Sequence, residues 1–188
     1  MTRVIHYDHL TTPLGRILLV ATEGGLAGVY FTEHAHAPLP EPTWAHDPAA
    51  LEPAASQLCE YFSGARASFD LALAARGTPF QLRVWQALRT IPFGATQSYG
   101  ELAARLGVPG SARAVGSANA RNPLSIIVPC HRVIAASGAL SGYAGGSYNK
   151  AWLLAFERSP ARSAPLTAPR KSCQESDKKI VARLLALV

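Results

Sequence analysis

Cysteine is scarce in this chain, with three in 188 residues, at positions 59, 130 and 173. Their irregular spacing fits neither a disulfide framework nor a zinc site with paired ligands, and it suits a reducing cytosol. No apolar run is long enough to span a bilayer, and no basic segment followed by an apolar one opens the sequence. The expectation is a soluble, cytoplasmic protein with no membrane partner. Internal repeats are lacking as well. Acidic side chains are nearly missing from one stretch. Residues 76–158 hold 2 acidic against 9 basic, a net +7, whereas residues 1–75 hold 8 acidic against 3 basic, a net −5. A polyanion would meet the second segment and not the first.

What is present is an ordinary globular composition, 48% hydrophobic and 16% charged, in a length that suits one large domain or two small ones. Residues 1–75 read as a small α/β unit. Val4–Tyr7 and Arg16–Thr22 are strand-like, Glu23-Gly24-Gly25 is a turn signal, and Leu26–Thr32 is a hairpin partner. Asp47 or Pro48 starts a helix whose apolar positions are Leu51, Ala54, Ala55, Leu58 and Phe62, ended by Gly64. Cys59 on that helix reads as core or boundary filler. Ser68–Leu73 is a further strand candidate, and residues 74–78 a linker.

Residues 76–158 read as mostly helical. Pro79 fits a first helical position, and Phe80, Val84, Trp85 and Leu88 form one apolar face. A helix-turn-helix pattern follows. Ser98 and Glu101 have the spacing of a capping box, Gly107 is a stop, and Val108-Pro109-Gly110 makes the turn. Ser111 is placed to cap a second helix through about Asn119. That helix is nearly bare: Ala112, Ala114, Gly116, Ser117 and Ala118 are small, and Arg113 is its one long charged residue before Arg121. A major-groove reader carries long polar side chains. Two readings stay open here, tight packing against another helix, or close backbone approach to a narrow groove with one arginine protruding. Residues 159–188 form a basic tail, Pro/Ala/Ser-rich at first and with a possible short terminal helix.

The most informative stretch is Val128-Pro129-Cys130-His131-Arg132-Val133-Ile134, a thiol beside an imidazole after an apolar run. A buried cysteine often only fills space. A cysteine next to a base is also a candidate nucleophile, because the thiolate is what attacks carbon.

Taken together, Ser98-Tyr99, Arg113-Ala114-Val115-Gly116, Asn122-Pro123, Ile127 to Ile134, Ser137-Gly138-Ala139, Tyr143-Ala144-Gly145-Gly146 and Trp152 to Glu157 resemble the O6-alkylguanine-DNA alkyltransferases, the methylated-DNA–protein-cysteine methyltransferases, in order and spacing. The resemblance is strong over about residues 77–158 and loose over 1–75. It implies an N-terminal α/β domain (1–75, structural), a DNA-binding and alkyl-acceptor domain (76–158) and a tail outside the family pattern. It implies direct repair: the alkyl group of O6-alkylguanine in double-stranded DNA moves irreversibly to Cys130, once per molecule, with no cofactor and no metal, in a monomer acting from the minor groove.

The roles that come with the resemblance are these. Cys130, His131 and Glu157 form a relay through a bridging water, which suits neighbours on an extended segment pointing apart. Glu157 orients His131 and favours its charged form. Asn122 shapes the active-site turn. Arg113 takes the place of the flipped base, which costs a few kcal/mol to extrude, while Tyr99 helps rotate the nucleotide. Ser98, Ala112, Ala114, Gly116 and Arg121 lie along the DNA. The Cys130 and Val133 carbonyls accept from the base, the Ala144 N–H donates to O6, Tyr143 walls the pocket, and Gly145 and Gly146 keep its lip open. The rivals are an alkyltransferase-like lesion binder, which Cys130 argues against; a cysteine hydrolase or acyltransferase, for which no oxyanion hole is evident; and a bare helix-turn-helix regulator.

Overall fold

The computed structural model describes residues 4–140 and 142–159. The expected basic tail lies outside the described residues, but for Ser159. The first part is a four-stranded sheet with a helix on it. Strands β1 (His6–Thr12), β2 (Gly15–Thr22) and β3 (Gly25–Phe31) form an antiparallel meander, and the two-residue β4 (Ala45–His46) adds in parallel to β1, giving the order β3-β2-β1-β4. The first strand begins two residues later than the expected Val4. Central β2 is buried without alternation from Ile17 to Ala21, as a strand covered on both faces requires.

Helix α1 (Pro48–Phe62) starts as its sequence predicts, with Asp47 accepting from the Ala50 N–H at 3.1 Å and Pro48 in the first turn. Its buried positions are Leu51, Ala54, Leu58, Tyr61 and Phe62. Tyr61 was not on the expected apolar face, and Ala55 is only half-buried. Cys59 is disulfide-bonded and not the bare filler expected of it.

The expected strand at Ser68–Leu73 does not form. One parallel bridge joins Leu26 to Leu73, with Leu26 N–H donating to Ala72 O at 2.8 Å and Ala74 N–H to Leu26 O at 2.7 Å. The reason is competition for one edge. Further along β3, Val29 N–H donates to Pro123 O at 2.8 Å and Ser125 N–H to Val29 O at 3.1 Å. The free edge of β3 is therefore divided between residues 72–74 and residues 123–125, which also shields it from other chains. Gly25 makes the first contact possible: its φ is +116°, and a Cβ there would sit 2.3 Å from Ala72 O.

The second part is helical: α2 (Pro79–Leu88), α3 (Tyr99–Arg105), α4 (Ala112–Ala120) and α5 (Ser147–Arg158). A short turn joins α3 to α4. Ser98 and Glu101 form the full reciprocal cap. Ser111 occupies the corresponding position before α4 but its side chain caps nothing, because its φ and ψ (−92°, 28°) are not the extended values that aim a cap oxygen at the helix. A pair of two-residue strands, β5 (Gln97–Ser98) and β6 (Val133–Ile134), run parallel and tie the start of α3 to the segment after Cys130. The two parts share one continuous apolar core, from Leu19 and Leu58 to Leu102 and Leu153. No helix among the described residues is long and apolar enough to cross a membrane.

Ser98→Ala removes the α3 cap. The expected cost is about 1 kcal/mol, read as a lower urea midpoint at unchanged slope.

Candidate active site

Residues 122–132 form no strand, despite the apolar run at 124–128. Ile127 N–H donates to Ser125 O and Cys130 N–H to Val128 O, both at 2.8 Å, so the chain makes two three-residue turns in succession. Ile126, at the centre of the first, has φ 72°, a conformation that costs a β-branched residue about 1–3 kcal/mol. Pro129, at the centre of the second, has φ −79° and ψ 62°, which its ring permits. Cys130–Arg132 then form one 3₁₀ turn. The expected extended geometry is corrected: the thiol and the imidazole sit on a tight turn, braced by the β3 edge on one side and by β6 on the other.

Cys130 is 3% exposed. Asn122 builds its seat. The Asn122 Nδ2 donates to Val128 O and to Cys130 Sγ, both at 2.9 Å, and its Oδ1 accepts from Leu124 N–H at 3.0 Å. One side chain thus shapes the turn and touches the sulfur. Burial pushes the thiol up to about 11, against the pull of the Asn122 hydrogen bond and the Lys150 charge. At neutral pH about one thiol in ten thousand is ionised at that value, so the sulfur needs a base.

His131 has no exposed surface. Its Nε2 lies 3.0 Å from Glu157 Oε1, which fixes the proton on that nitrogen. Nδ1 is then the acceptor, and it is buried with no hydrogen-bond partner. Burial holds His131 below its ordinary value; Glu157 raises it, and Arg132 and Lys150 lower it again. Glu157 does favour the charged form, as expected, but burial outweighs it, and the ring is neutral at neutral pH, as a base must be.

Glu157 sits in a cage of five donors. Oε1 accepts from Tyr61 O–H at 2.7 Å, His131 Nε2 at 3.0 Å and an Arg132 terminal nitrogen at 2.8 Å; Oε2 accepts from Arg132 Nε at 2.8 Å and Gly94 N–H at 3.0 Å. Burial works to raise its carboxyl, but the His131 and Arg132 bonds and charges win and hold it well below the carboxylate range. Arg132 is buried, its remaining terminal nitrogen donates to Ile91 O at 2.7 Å, and its guanidinium lies 5.3 Å from the Phe93 ring centre.

Around the thiol lie residues that sequence reasoning missed. Lys150 is fully buried and its Nζ donates to Val133 O at 2.6 Å, 5.8 Å from the Tyr99 ring centre. Asn119 Nδ2 donates to Cys130 O at 3.3 Å. Of the two carbonyls expected to accept from a base, that of Cys130 already accepts from Asn119 Nδ2 and from the Val133 N–H, and that of Val133 accepts from Lys150 Nζ. The signal for Lys150 was its spacing: positions 150, 153, 154 and 157 share one helix face, and all four are buried.

Tyr143 lies beside His131, its ring centre 6.5 Å from that of the imidazole. Its hydroxyl and that of Ser125 are neighbours, yet neither has a partner in hydrogen-bond geometry. Ala144 O accepts from Ala35 N–H at 3.1 Å, which fixes the peptide after it. Gly145 is buried, and a Cβ there would lie 2.7 Å from both the Phe31 and Tyr143 rings; it is small because it is crowded, not because it holds a lip open. Tyr99 heads α3, with its hydroxyl 3.4 Å from Gly142 O, and burial raises it to about 12. A Cβ on Gly116 would meet the Tyr99 ring at 3.7 Å, so α4 lies against it. Arg113 and Ala114 are exposed on α4, Ala112 and Gly116 are half-buried, and the exposed Arg121 donates to Ser117 Oγ at 2.7 Å. The Ser98 hydroxyl is committed to its cap. No group of three His, Cys, Asp or Glu side chains among the described residues could hold a metal ion.

The comparisons with known proteins bear on this geometry. Residues 79–159 match the family model described as 6-O-methylguanine DNA methyltransferase, DNA binding domain, and residues 5–75 that of its ribonuclease-like domain. The methylated-DNA–protein-cysteine methyltransferase of Mycobacterium tuberculosis is 49% identical over 158 residues, covering 84% of this chain and 95% of that protein. The protein of the same name from Methanosarcina acetivorans is 46% identical over 155 residues, covering 82% and 99%. The crystal structure of Mycobacterium tuberculosis OGT in complex with DNA superposes with a TM-score of 0.76 at 48% identity, over 84% of this chain and 94% of that one.

Proposed function

Because the chain belongs to the 6-O-methylguanine DNA methyltransferase family, we propose that it repairs DNA directly, by moving the alkyl group of O6-alkylguanine onto Cys130. The observation that carries the chemistry is a buried thiol on Asn122 beside a neutral imidazole whose Nδ1 is unpaired. The thiol proton passes to His131 Nδ1 through a water. The thiolate sulfur forms a bond to the alkyl carbon, the carbon–O6 bond breaks, and its electron pair returns to the guanine, which takes up a proton. Glu157 holds His131 and balances the imidazolium as it forms. The thioether product resists hydrolysis, so each molecule acts once and needs no cofactor.

In this reading α3, the turn and α4 are a helix-turn-helix laid along the minor groove. Arg113 fills the stack vacated by the flipped base, and Tyr99 and Arg121 contact the strand beside it. Residues 76–158 hold the DNA contacts and the acceptor, residues 1–75 brace them, and the protein works as a cytoplasmic monomer. A hydrolase reading fares worse: the Cys130 N–H, a natural oxyanion donor, is already given to Val128 O. A lesion binder without repair leaves the thiol and its base unexplained.

The test is a mass measurement. A duplex containing O6-methylguanine is incubated with the protein and the peptide bearing Cys130 is weighed. The expected result is a gain of one methyl group on that peptide. No gain, or a gain that persists in Cys130→Ala, rejects the reading.

A further inference from the structure

Tyr61 lies on the first helix, 96 positions from Glu157, and outside every motif that marked the site. Its ring is fully buried among aromatics, with centroids 5.4 Å from Phe62, 5.5 Å from Phe69, 5.5 Å from Phe156 and 6.1 Å from Phe93. A phenylalanine would fill that space. The hydroxyl is what differs, and it donates to Glu157 Oε1 at 2.7 Å. The same oxygen receives His131 Nε2. With an Arg132 terminal nitrogen, that makes three donors on one carboxylate oxygen, competing for its charge, so what Tyr61 draws the others lose.

We infer that Tyr61 is a positioning residue for alkyl transfer: its O–H···Oε1 bond sets how strongly Glu157 accepts from His131, and so how basic Nδ1 is. This rests on the proposed function. It gives residues 1–75 a part in the chemistry beyond bracing. The charged and titratable groups facing His131 are Glu157 and Arg132, with Lys150 behind them and the Cys130 thiol and Tyr143 hydroxyl alongside. Tyr61 acts on the first of these. Without its hydroxyl, Oε1 becomes the better acceptor for Nε2–H, the imidazolium is favoured, and His131 protonates at higher pH.

The test is the pH profile of the second-order rate of methyl uptake from an O6-methylguanine duplex, in the full chain and in Tyr61→Phe. The acid limb of the variant is expected to move up by roughly half to one pH unit, the worth of one hydrogen bond. Below the midpoint its rate is then about three- to tenfold lower, and above it the two rates converge. Replacing Tyr61 by 3-fluorotyrosine keeps the shape and strengthens the donor, and moves the limb the other way; this arm stands even if Tyr61→Phe does not fold. Profiles that superimpose, or that differ by one constant factor at every pH, overturn the inference, because a merely structural hydroxyl changes only the amount of active protein. If the full chain itself takes up no methyl at any pH, the proposed function falls, a result distinct from a failure of Tyr61 alone.

Discussion

Glu157→Gln is expected to lose about 3–5 kcal/mol of unfolding free energy, because it leaves a buried guanidinium without its counter-charge. The side chain of Glu157 has no exposed surface and that of Arg132 only 6%, so water cannot take the carboxylate's place. Arg132 would keep Ile91 O and lose both bonds to a charged acceptor. Methyl uptake should fall at least about a hundredfold in the fraction that stays folded. The amide can point an NH₂ at His131, and the imidazole then loses the acceptor that keeps its proton on Nε2. Urea unfolding and single-turnover mass measurement read the two losses separately.

The pH dependence of stability follows from the same pair. Glu157 is held below its ordinary 4.5, so the stability it contributes is present above that pH and drains away as pH falls further, toward its folded value. His131 is held below its ordinary 6.5, so the unfolded chain takes up its proton first, and stability begins to fall below about that pH. Acid destabilisation in two stages is expected in the parent protein. The lower stage should shrink in Glu157→Gln, which has no carboxyl left to protonate there.

The way Glu157 is held explains what could and could not be read in advance. Cys130 and His131 are adjacent, and the sequence alone marks them; Asn122 and the pairing of His131 with Glu157 were legible only through the family resemblance. The caps at Asp47 and Ser98 were legible because each is a contact across three positions. The cage of Glu157 draws on Tyr61, Gly94, His131 and Arg132, which are 25 to 96 positions away. No periodicity encodes a distance of that kind. Arg132 stood in the motif, but only the 3₁₀ turn directs it at the carboxylate. Ile and Val in the apolar run at 124–128 favour extended backbone; the tertiary bonds to Val29 and the turn at Ile126 override that preference. Ser68–Leu73 failed as a strand through the same event, since residues 123–125 hold the part of the β3 edge it would have needed.

Arg113→Ala is expected to lower methyl uptake from duplex DNA about a hundredfold and to leave the reaction with the free alkylated base almost unchanged. The argument is geometric and then energetic. Arg113 is exposed on a helix whose neighbouring side chains are Ala112, Ala114, Gly116 and Ser117, and the next long side chain, Arg121, is two turns away and bonded to Ser117 Oγ, so Arg113 alone at this end of the helix has the reach to enter a base stack. The Gly116 backbone lies against the Tyr99 ring, so this helix packs on the residue that heads α3. Extruding a paired base costs a few kcal/mol, and a side chain that fills the gap recovers part of it; about 2.7 kcal/mol of recovery is a hundredfold in rate. The free base is already out of the stack and needs no such partner. The Cys130 seat on Asn122 and the His131–Glu157 pair lie on other elements, so the thiol chemistry should survive the change. Single-turnover rates with an O6-methylguanine duplex and with O6-benzylguanine base, read by the mass of the Cys130 peptide, give the ratio directly. Equal losses on both substrates would place Arg113 in general electrostatic attraction or in folding, and α4 would then be a packing helix whose bareness serves Tyr99 alone.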